Sequence, residues 1–275
     1  MPFFGQQRNS PPASTTVSYR PVCRHAPGHN HSWLARHSRD TEDIPLGISP
    51  LLAFGCATCI DEASEVMHTG EQYHQFFLTS RRDVVVRSRF QRMAMDLLPR
   101  GADVLDFGAG TGIDARTYAS HGHRTFVYEP TESMRDYLLK YCGDELEQRT
   151  IVAIDSLENC KVSAVTANFA VLNHFADHTG LFEDLAKVVP SGGFVLASML
   201  NPFYLGDARY GWWLANIVHL LRRGHYAIRS ESRIHRFAPR VVAQAAAPYF
   251  RLEQRVPAGW GMATQLYMFL LFRRN

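Results

Sequence analysis

The chain has 275 residues, 46% of them hydrophobic and 20% charged, enough for one substantial domain or a domain with an appendage. A net charge of +3, with the basic residues scattered among acids, is too weak to argue for a polyanionic partner such as nucleic acid, whose binders usually show a basic stripe. The five cysteines, Cys23, Cys56, Cys59, Cys142 and Cys160, are odd in number and irregularly spaced, which argues against a disulfide framework and for a reducing, cytoplasmic compartment.

Residues 1–39 contain no acid but five arginines, five serines, five prolines and four histidines, without periodicity. That composition predicts a disordered extension over residues 1–60. The prolines spoil the amphipathic helix of an organelle transit peptide. Cys23, His25, His29, His31, Cys56 and Cys59 do not complete zinc-ligand spacing, because "CATC" has no second close pair, so no metal is expected. Met67 is a candidate alternative start. The apolar stretch "IPLGISPLLAFGCATCI" at 44–60 carries two prolines and two glycines and falls short of the roughly 20 residues a membrane span requires.

A helix is predicted over 71–98, with Tyr73, His74, Phe76 and Phe77 near its start. From Asp103 the pattern sharpens into "DVLDFGAGTGIDARTYASHGHRTFVYEP". "DVLDF" is a short apolar strand, "IDARTYASHG" has helical length and stops at Gly122, and "TFVYE" is a second strand ending in an acid. Strand, glycine loop, helix, strand and acid make the opening unit of a doubly wound nucleotide-binding sheet.

Two chemistries use that unit. A dinucleotide site spells G-x-G-x-x-G and offers the helix N-terminus to a pyrophosphate. Here Gly108, Gly110 and Gly112 spell G-x-G-x-G, and Asp106 just before them would repel a pyrophosphate. An acid there suits a ligand that presents an ammonium group, with a carboxylate left for the loop amides. Glu129, 17 residues beyond Gly112, stands where a carboxylate can accept from both hydroxyls of a ribose.

"VLDFGAGTG" followed by "VYEP" resembles the class I S-adenosylmethionine-dependent methyltransferases, and the resemblance runs from about residue 66 to the C-terminus. It implies an α/β fold: a doubly wound, mostly parallel seven-stranded sheet with a C-terminal antiparallel strand pair and helices on both faces. The methyltransferase domain is expected over 61–275. The resemblance also implies S-adenosyl-L-methionine as cofactor. Asp106, Gly108, Ala109, Gly110 and Gly112 would hold its methionine end, Glu129 its ribose, and Pro130 and Met134 would flank the adenine. Asp155 and Ser156, in "AIDSLEN", would meet the adenine edge, although turn chemistry explains Asp155 equally well.

The fourth strand is "VSAVTA" (162–167), followed by an amphipathic helix over 179–189, the turn "PSGG" and a fifth strand, "FVLASML". Residues 201–204 spell "NPFY", similar to a quartet that grips target amino groups in nucleic-acid methyltransferases. There, however, it stands after the fourth strand, and here it follows the fifth. Asn-Pro opens turns, so a strand-to-helix turn is expected and no nucleic acid is implied. The fourth-strand position holds "ANFAVLNHF" instead. Asn168 and Phe169 would lie beside the sulfonium, and Asn173 and His174 would open towards the acceptor. His174 has a pKa suited to accepting a proton; a general base and a substrate-orienting group both remain open for it.

Two segments are expected to close over the cofactor. Tyr73 and its neighbours would cap the methionine end or simply pack. An insert over about 203–232 carries Trp212 and Trp213 and apolar residues at helical spacing, stopped by Arg222-Arg223-Gly224. It reads as a lid over a large apolar acceptor, as a contact with a membrane surface, or as ordinary packing. "YFRLEQRV" and "QLYMFLLFRR" form the last strand pair. The expected activity is methyl transfer to a small hydrophobic or lipid-like acceptor, on oxygen, with no obligate protein partner. A nicotinamide-dependent oxidoreductase or a non-catalytic cofactor-binding module are the competing readings.

Overall fold

The computed structural model describes residues 69–228 and 234–275. The extension expected over 1–60, with its incomplete metal-ligand set, lies outside these residues.

Helix α1 (Gly70–Thr79) and helix α2 (Arg81–Leu97) replace the single helix expected over 71–98. The break is at Ser80, which adopts an extended conformation, with its hydroxyl donating to Asp83 Oδ2 at 2.5 Å. Thr79 bonds back to the carbonyls of Gln75 and Phe76, the kind of local competition by which Ser and Thr end a helix.

The sheet is built from β1 (Asp103–Phe107), β2 (Arg124–Tyr128), β3 (Ile151–Ala153), β4 (Ala164–Ala167), β5 (Phe194–Leu200), β8 (Phe250–Val256) and β9 (Tyr267–Arg274), in the order β3-β2-β1-β4-β5-β9-β8. All the pairings are parallel except those of β9, which runs against both β5 and β8. Every residue of β4 and β5 is buried, as expected for central strands covered on both faces. Strand order reverses between β1 and β4, so the crevice at their carboxyl ends is where a ligand belongs in an open α/β sheet.

The covering helices follow local signals. Helix α3 (Ile113–Ser120) starts from Gly112, and α4 (Glu132–Tyr141) and α5 (Gly143–Glu147) follow β2. Helix α6 (His178–Val188) is capped by Asp177, which accepts from the Thr179 N–H at 2.8 Å. Its Leu181, Phe182, Leu185 and Val188 are buried, each contributing about 1.5–3 kcal/mol by leaving water.

Gly112 meets two demands at once. Its φ is +85°, and a Cβ there would lie 2.6 Å from Cys142 Sγ and 3.2 Å from Leu138 Cγ. Gly112→Ala is therefore expected to destabilise the fold by about 2–4 kcal/mol, from left-handed strain plus overpacking. Urea denaturation checks this, and adding Cys142→Ala should recover only the steric share.

The insert after β5 is more elaborate than its sequence suggests. Helix α7 (Gly211–Arg223) stops on the left-handed Gly224, then β6 (His225–Ile228) and β7 (Ile234–Phe237) pair as a separate two-stranded sheet before α8 (Pro239–Ala246). The "NPFY" segment is a turn: Asn201 is fully buried, its Oδ1 accepts from the Phe203 N–H at 3.0 Å, and its amide donates to the carbonyls of Met262 and Gln265. Among the described residues no helix is long and apolar enough to cross a membrane.

Candidate functional site

The glycine loop between β1 and α3 is tied to the end of β2. The N–H groups of Gly108 and Ala109 both donate to the Tyr128 carbonyl, at 2.8 and 3.1 Å. The Gly110 N–H donates to Glu129 Oε2 at 2.7 Å, while Oε1 accepts from the Thr131 N–H at 2.8 Å. Two backbone donors thus hold the Glu129 carboxylate across the mouth of the crevice.

Asp106 stands beneath this loop, 2% exposed. One oxygen accepts a long 3.4 Å bond from the Thr166 hydroxyl, and the other is buried with no hydrogen-bond partner among the described residues. Burial, reinforced by the nearby Asp114 carboxylate, raises its pKa well above the usual carboxylate range, against the opposing pull of Arg87 and Thr166. A buried acceptor left open in this way is a strained feature that a ligand cation would relieve.

A second constellation sits beside it. Asp114, in the first turn of α3, accepts from Arg87 at 2.7 Å, from Gln91 at 2.7 Å and from Asn168 at 3.0 Å. Arg87 also has a buried Nε without a partner among the described residues, and its guanidinium lies 4.6 Å from the Phe169 ring centre and 5.6 Å from that of Phe77. A buried carboxyl oxygen of Asp106 and the buried Nε–H of Arg87, both open among the described residues and electrostatically linked at one end of the crevice, fit the ammonium and the carboxylate of an amino acid. Tyr73 lies across the loop, with its Cε1 3.8 Å from where a Gly110 Cβ would stand, and burial raises the pKa of its phenol. A side chain at position 110 would fill the space under that ring.

Asn168 closes β4 and is buried; its Oδ1 accepts from the Phe169 N–H at 2.9 Å. Phe169 and Ala170 both take positive φ, 52° and 65°, an uncommon conformation for consecutive non-glycine residues. The turn aims Phe169 into an aromatic row. Ring centres lie 4.4 Å apart for Tyr73–Phe77, 4.9 Å for Phe77–Phe169 and 5.5 Å for Phe169–Tyr267.

The other expected residues fall in two groups. At the far side of the crevice, Pro130 is exposed and Met134 half-buried. Asp155 is at the solvent rim, its side chain 94% exposed and 3.5 Å from Arg135. Ser156 accepts from the Glu158 N–H in a local turn. On the acceptor side, Asn173 does not open towards a ligand. It is fully buried, its amide donating to the His235 carbonyl at 2.5 Å and accepting from the Leu200 N–H at 3.0 Å, so it fastens the 174 loop to β5 and β7. His174 is exposed, and its ring has no hydrogen-bond partner among the described residues. Trp213 donates to the Pro202 carbonyl at 3.2 Å, and Trp212 packs with Leu220, Tyr226 and Ala238 under the Arg236 guanidinium.

Arg87, Asp114, Gln91 and Tyr267 were not anticipated. Arg87 is one of five arginines between 81 and 92, and only the packing of α2 against α3 singles it out. Asp114 carried a fair signal, an acid two residues past the last loop glycine.

Solved structures share this architecture. The 1,6-didemethyltoxoflavin-N1-methyltransferase of Burkholderia thailandensis, with its acceptor and S-adenosylhomocysteine bound, superposes with a TM-score of 0.53 at 15% identity, covering 83% of this chain and 93% of that one. The CcbJ methyltransferase of Streptomyces caelestis gives 0.51 at 15% identity, covering 69% and 90%. A methyltransferase of Mesorhizobium loti that depends on S-adenosylmethionine gives 0.50 at 16% identity, covering 66% and 96%. At such identities the likeness speaks for the fold. No curated protein matches the chain. A family profile described as a methyltransferase domain matches residues 78–240. That match spans more than half of the 275 residues and includes the glycine loop, Glu129 and the end of β4, so the chain belongs to this family and is a class I S-adenosylmethionine-dependent methyltransferase.

Proposed function

We propose that the chain methylates a small hydrophobic or lipid-like acceptor on oxygen. The observation that carries this reading is the aromatic row Tyr73–Phe77–Phe169–Tyr267, which begins at the glycine loop and continues away from it towards the insert. When bound, the cofactor supplies a methyl group already activated by its sulfonium. The protein's part is then alignment and exclusion of water, and orientation alone is worth about 7–11 kcal/mol.

In this reading Asp106 takes the ammonium and Arg87 the carboxylate of the methionine end, with the backbone of Gly108, Ala109, Gly110 and Gly112 lying along the chain between them and Gly110 leaving the room. Glu129 accepts from the ribose, Pro130 and Met134 flank the adenine, and Asp155 and Ser156 form its outer rim. Asn168 acts through Asp114, holding Arg87 in place. The domain starts near residue 61, and the insert over about 203–232 covers the acceptor with one face and presents the other to a membrane. The buried, free thiols of Cys142 and Cys160 agree with a reducing, cytoplasmic location.

A nitrogen acceptor is the second reading. Among the described residues no group orients the His174 ring, and a neutral amine or heteroaryl nitrogen needs no base. The toxoflavin enzyme named above is an N1-methyltransferase.

Calorimetric titration with S-adenosylmethionine, and in parallel with NADH, tests the cofactor. Saturable binding of the first alone is expected. Arg87→Met and Glu129→Ala should each weaken it by about 10- to 100-fold, the cost of losing a hydrogen bond to a charged group. Binding of NADH alone would overturn the reading. Mass spectrometry on paired hydroxyl and amino acceptors then assigns the methylated atom. Should His174 act as a base, His174→Ala lowers kcat by about 10²–10⁴ with hydroxyl acceptors and leaves amino acceptors unaffected.

A further inference from the structure

Helix α7 has two apolar faces, and only one of them has work in the fold. Leu220 is buried on the inner face, where Trp212 and Ile217 pack with Tyr226, Ala238 and Phe203, and the Trp213 indole is bonded to Pro202. On the outer face Leu214, Val218 and Leu221 are 58%, 48% and 68% exposed. At 3.6 residues per turn these three lie within about 60° of one another, a continuous aliphatic stripe.

The stripe has company. Leu205, just before α7, is 58% exposed, and Trp260, on the turn between β8 and β9, is 95% exposed. Both neighbourhoods are fastened to the segment that leaves β5. Asn201 holds the carbonyls of Met262 and Gln265, and Pro202 holds Trp213. The exposed leucines and the exposed tryptophan therefore flank one edge of the molecule, the edge at which the crevice opens.

The charge around the stripe selects its occupant. Between residues 203 and 228 the sequence has a single acid, Asp207, and it is fully buried against Arg236. Arg222 and Arg223 are exposed at the end of α7, and neither makes an ion pair among the described residues. At 100° per residue Arg222 lies about 40° beyond Val218, at the border of the stripe, while Arg223 turns about 160° away from Leu221. A protein interface of ordinary size engages roughly 20–30 residues a side, against five apolar side chains here. A lipid surface needs no complementary shape, and its anionic headgroups match arginines that border apolar residues, with a tryptophan at the headgroup level.

We propose that the outer face of α7, with Trp260 beside it, docks the protein on an anionic lipid bilayer. Leu214, Val218 and Leu221 enter the acyl boundary while Arg222 at the border of the stripe meets the headgroups, and the crevice faces the surface from which an apolar acceptor would come. The docking is independent of the acceptor's identity and of the methylated atom, so its test stands apart from that of the activity.

The experiment is co-sedimentation of the full chain with vesicles of phosphatidylcholine alone and of phosphatidylcholine with phosphatidylglycerol. Binding is expected to the mixed vesicles and to fall with salt. Leu214→Glu combined with Leu221→Glu should weaken it about tenfold or more, since the apolar stripe supplies the insertion. Arg222→Gln, at an exposed position, should weaken it about fivefold, at about 1 kcal/mol, and the pair Arg222→Gln with Arg223→Gln should weaken it little further. Calorimetric binding of S-adenosylmethionine should be the same for all of these variants. No binding of the parent to mixed vesicles overturns the proposal, as does binding unaffected by either pair of substitutions. A change of oligomeric state in the leucine variant, read by light scattering, also overturns it, because the stripe then belongs to a second copy of the chain.

Discussion

Asp106→Asn is expected to abolish cofactor binding in practice while leaving the free protein as stable as the parent, or more stable. The two effects share one cause. In the free protein the carboxylate is buried with one oxygen unpaired among the described residues and the other holding only a 3.4 Å bond from Thr166. An ionised group in that position costs free energy, and a neutral amide of the same shape removes the cost. With S-adenosylmethionine in place the same carboxylate meets an ammonium. Deleting one partner of a buried charge pair costs about 3–5 kcal/mol, so affinity should fall by at least about a hundredfold. Calorimetry and urea denaturation, run on the same two proteins, read both halves. A variant that lost affinity and stability together would point to a structural role instead.

The pH dependence follows from the same residue. Burial and then Asp114 raise the pKa of Asp106 in the folded chain above its ordinary value of 3.8. The folded state therefore keeps a proton that the unfolded state has released. The resulting stabilisation is full below the unfolded pKa and is lost as pH rises through the higher folded one. Asp106→Asn should lack this decline. An ammonium ligand demands the ionised form, so binding should release a proton in the lower part of that range, and affinity should rise with pH until the folded pKa is passed. Titrations in buffers of different ionisation enthalpy measure the proton count directly.

What was legible in the sequence is the part written in local spacing. The glycines at 108, 110 and 112, with Asp106 before them and Glu129 after, can be placed without knowing any long-range contact, because one strand–loop–helix–strand unit contains them all. The strand order, with β9 running against its neighbours, agrees with the mostly parallel sheet and antiparallel ending expected. Side chains whose role depends on what they meet across the fold could not be read this way. Asn173 looks like a ligand in the sequence, yet its amide is used up on backbone groups at least 27 residues away. Arg87 looks like any surface arginine until Asp114 and Phe169 are placed around it. The β6–β7 hairpin was hidden because the short strands His225–Ile228 and Ile234–Phe237 mix charged and apolar residues without clear alternation.

Asp207→Ala is expected to be the most destabilising single change in the insert. Asp207 and Arg236 are 0% and 1% exposed and lie 2.6 Å apart, and the same guanidinium nitrogen donates to the Asn201 carbonyl at 3.0 Å. Removing the carboxylate leaves a buried guanidinium without its anion, at a cost of about 3–5 kcal/mol. Arg236→Met added to Asp207→Ala should restore much of that, since the uncompensated charge and not the missing contact dominates the penalty. The damage should also be local. The pair joins the turn after β5 to β7, beneath Trp212 of α7, and touches neither the glycine loop nor β1 and β4. Hydrogen exchange should therefore quicken in α7, β6 and β7 while β1, β4 and β5 stay protected. Binding of S-adenosylmethionine should survive, because its residues lie on the unaffected elements, while turnover of any acceptor that needs the insert closed should fall. A uniform loss of protection across the sheet would mean instead that insert and sheet unfold as one unit, and that the pair holds the whole domain together rather than its cover.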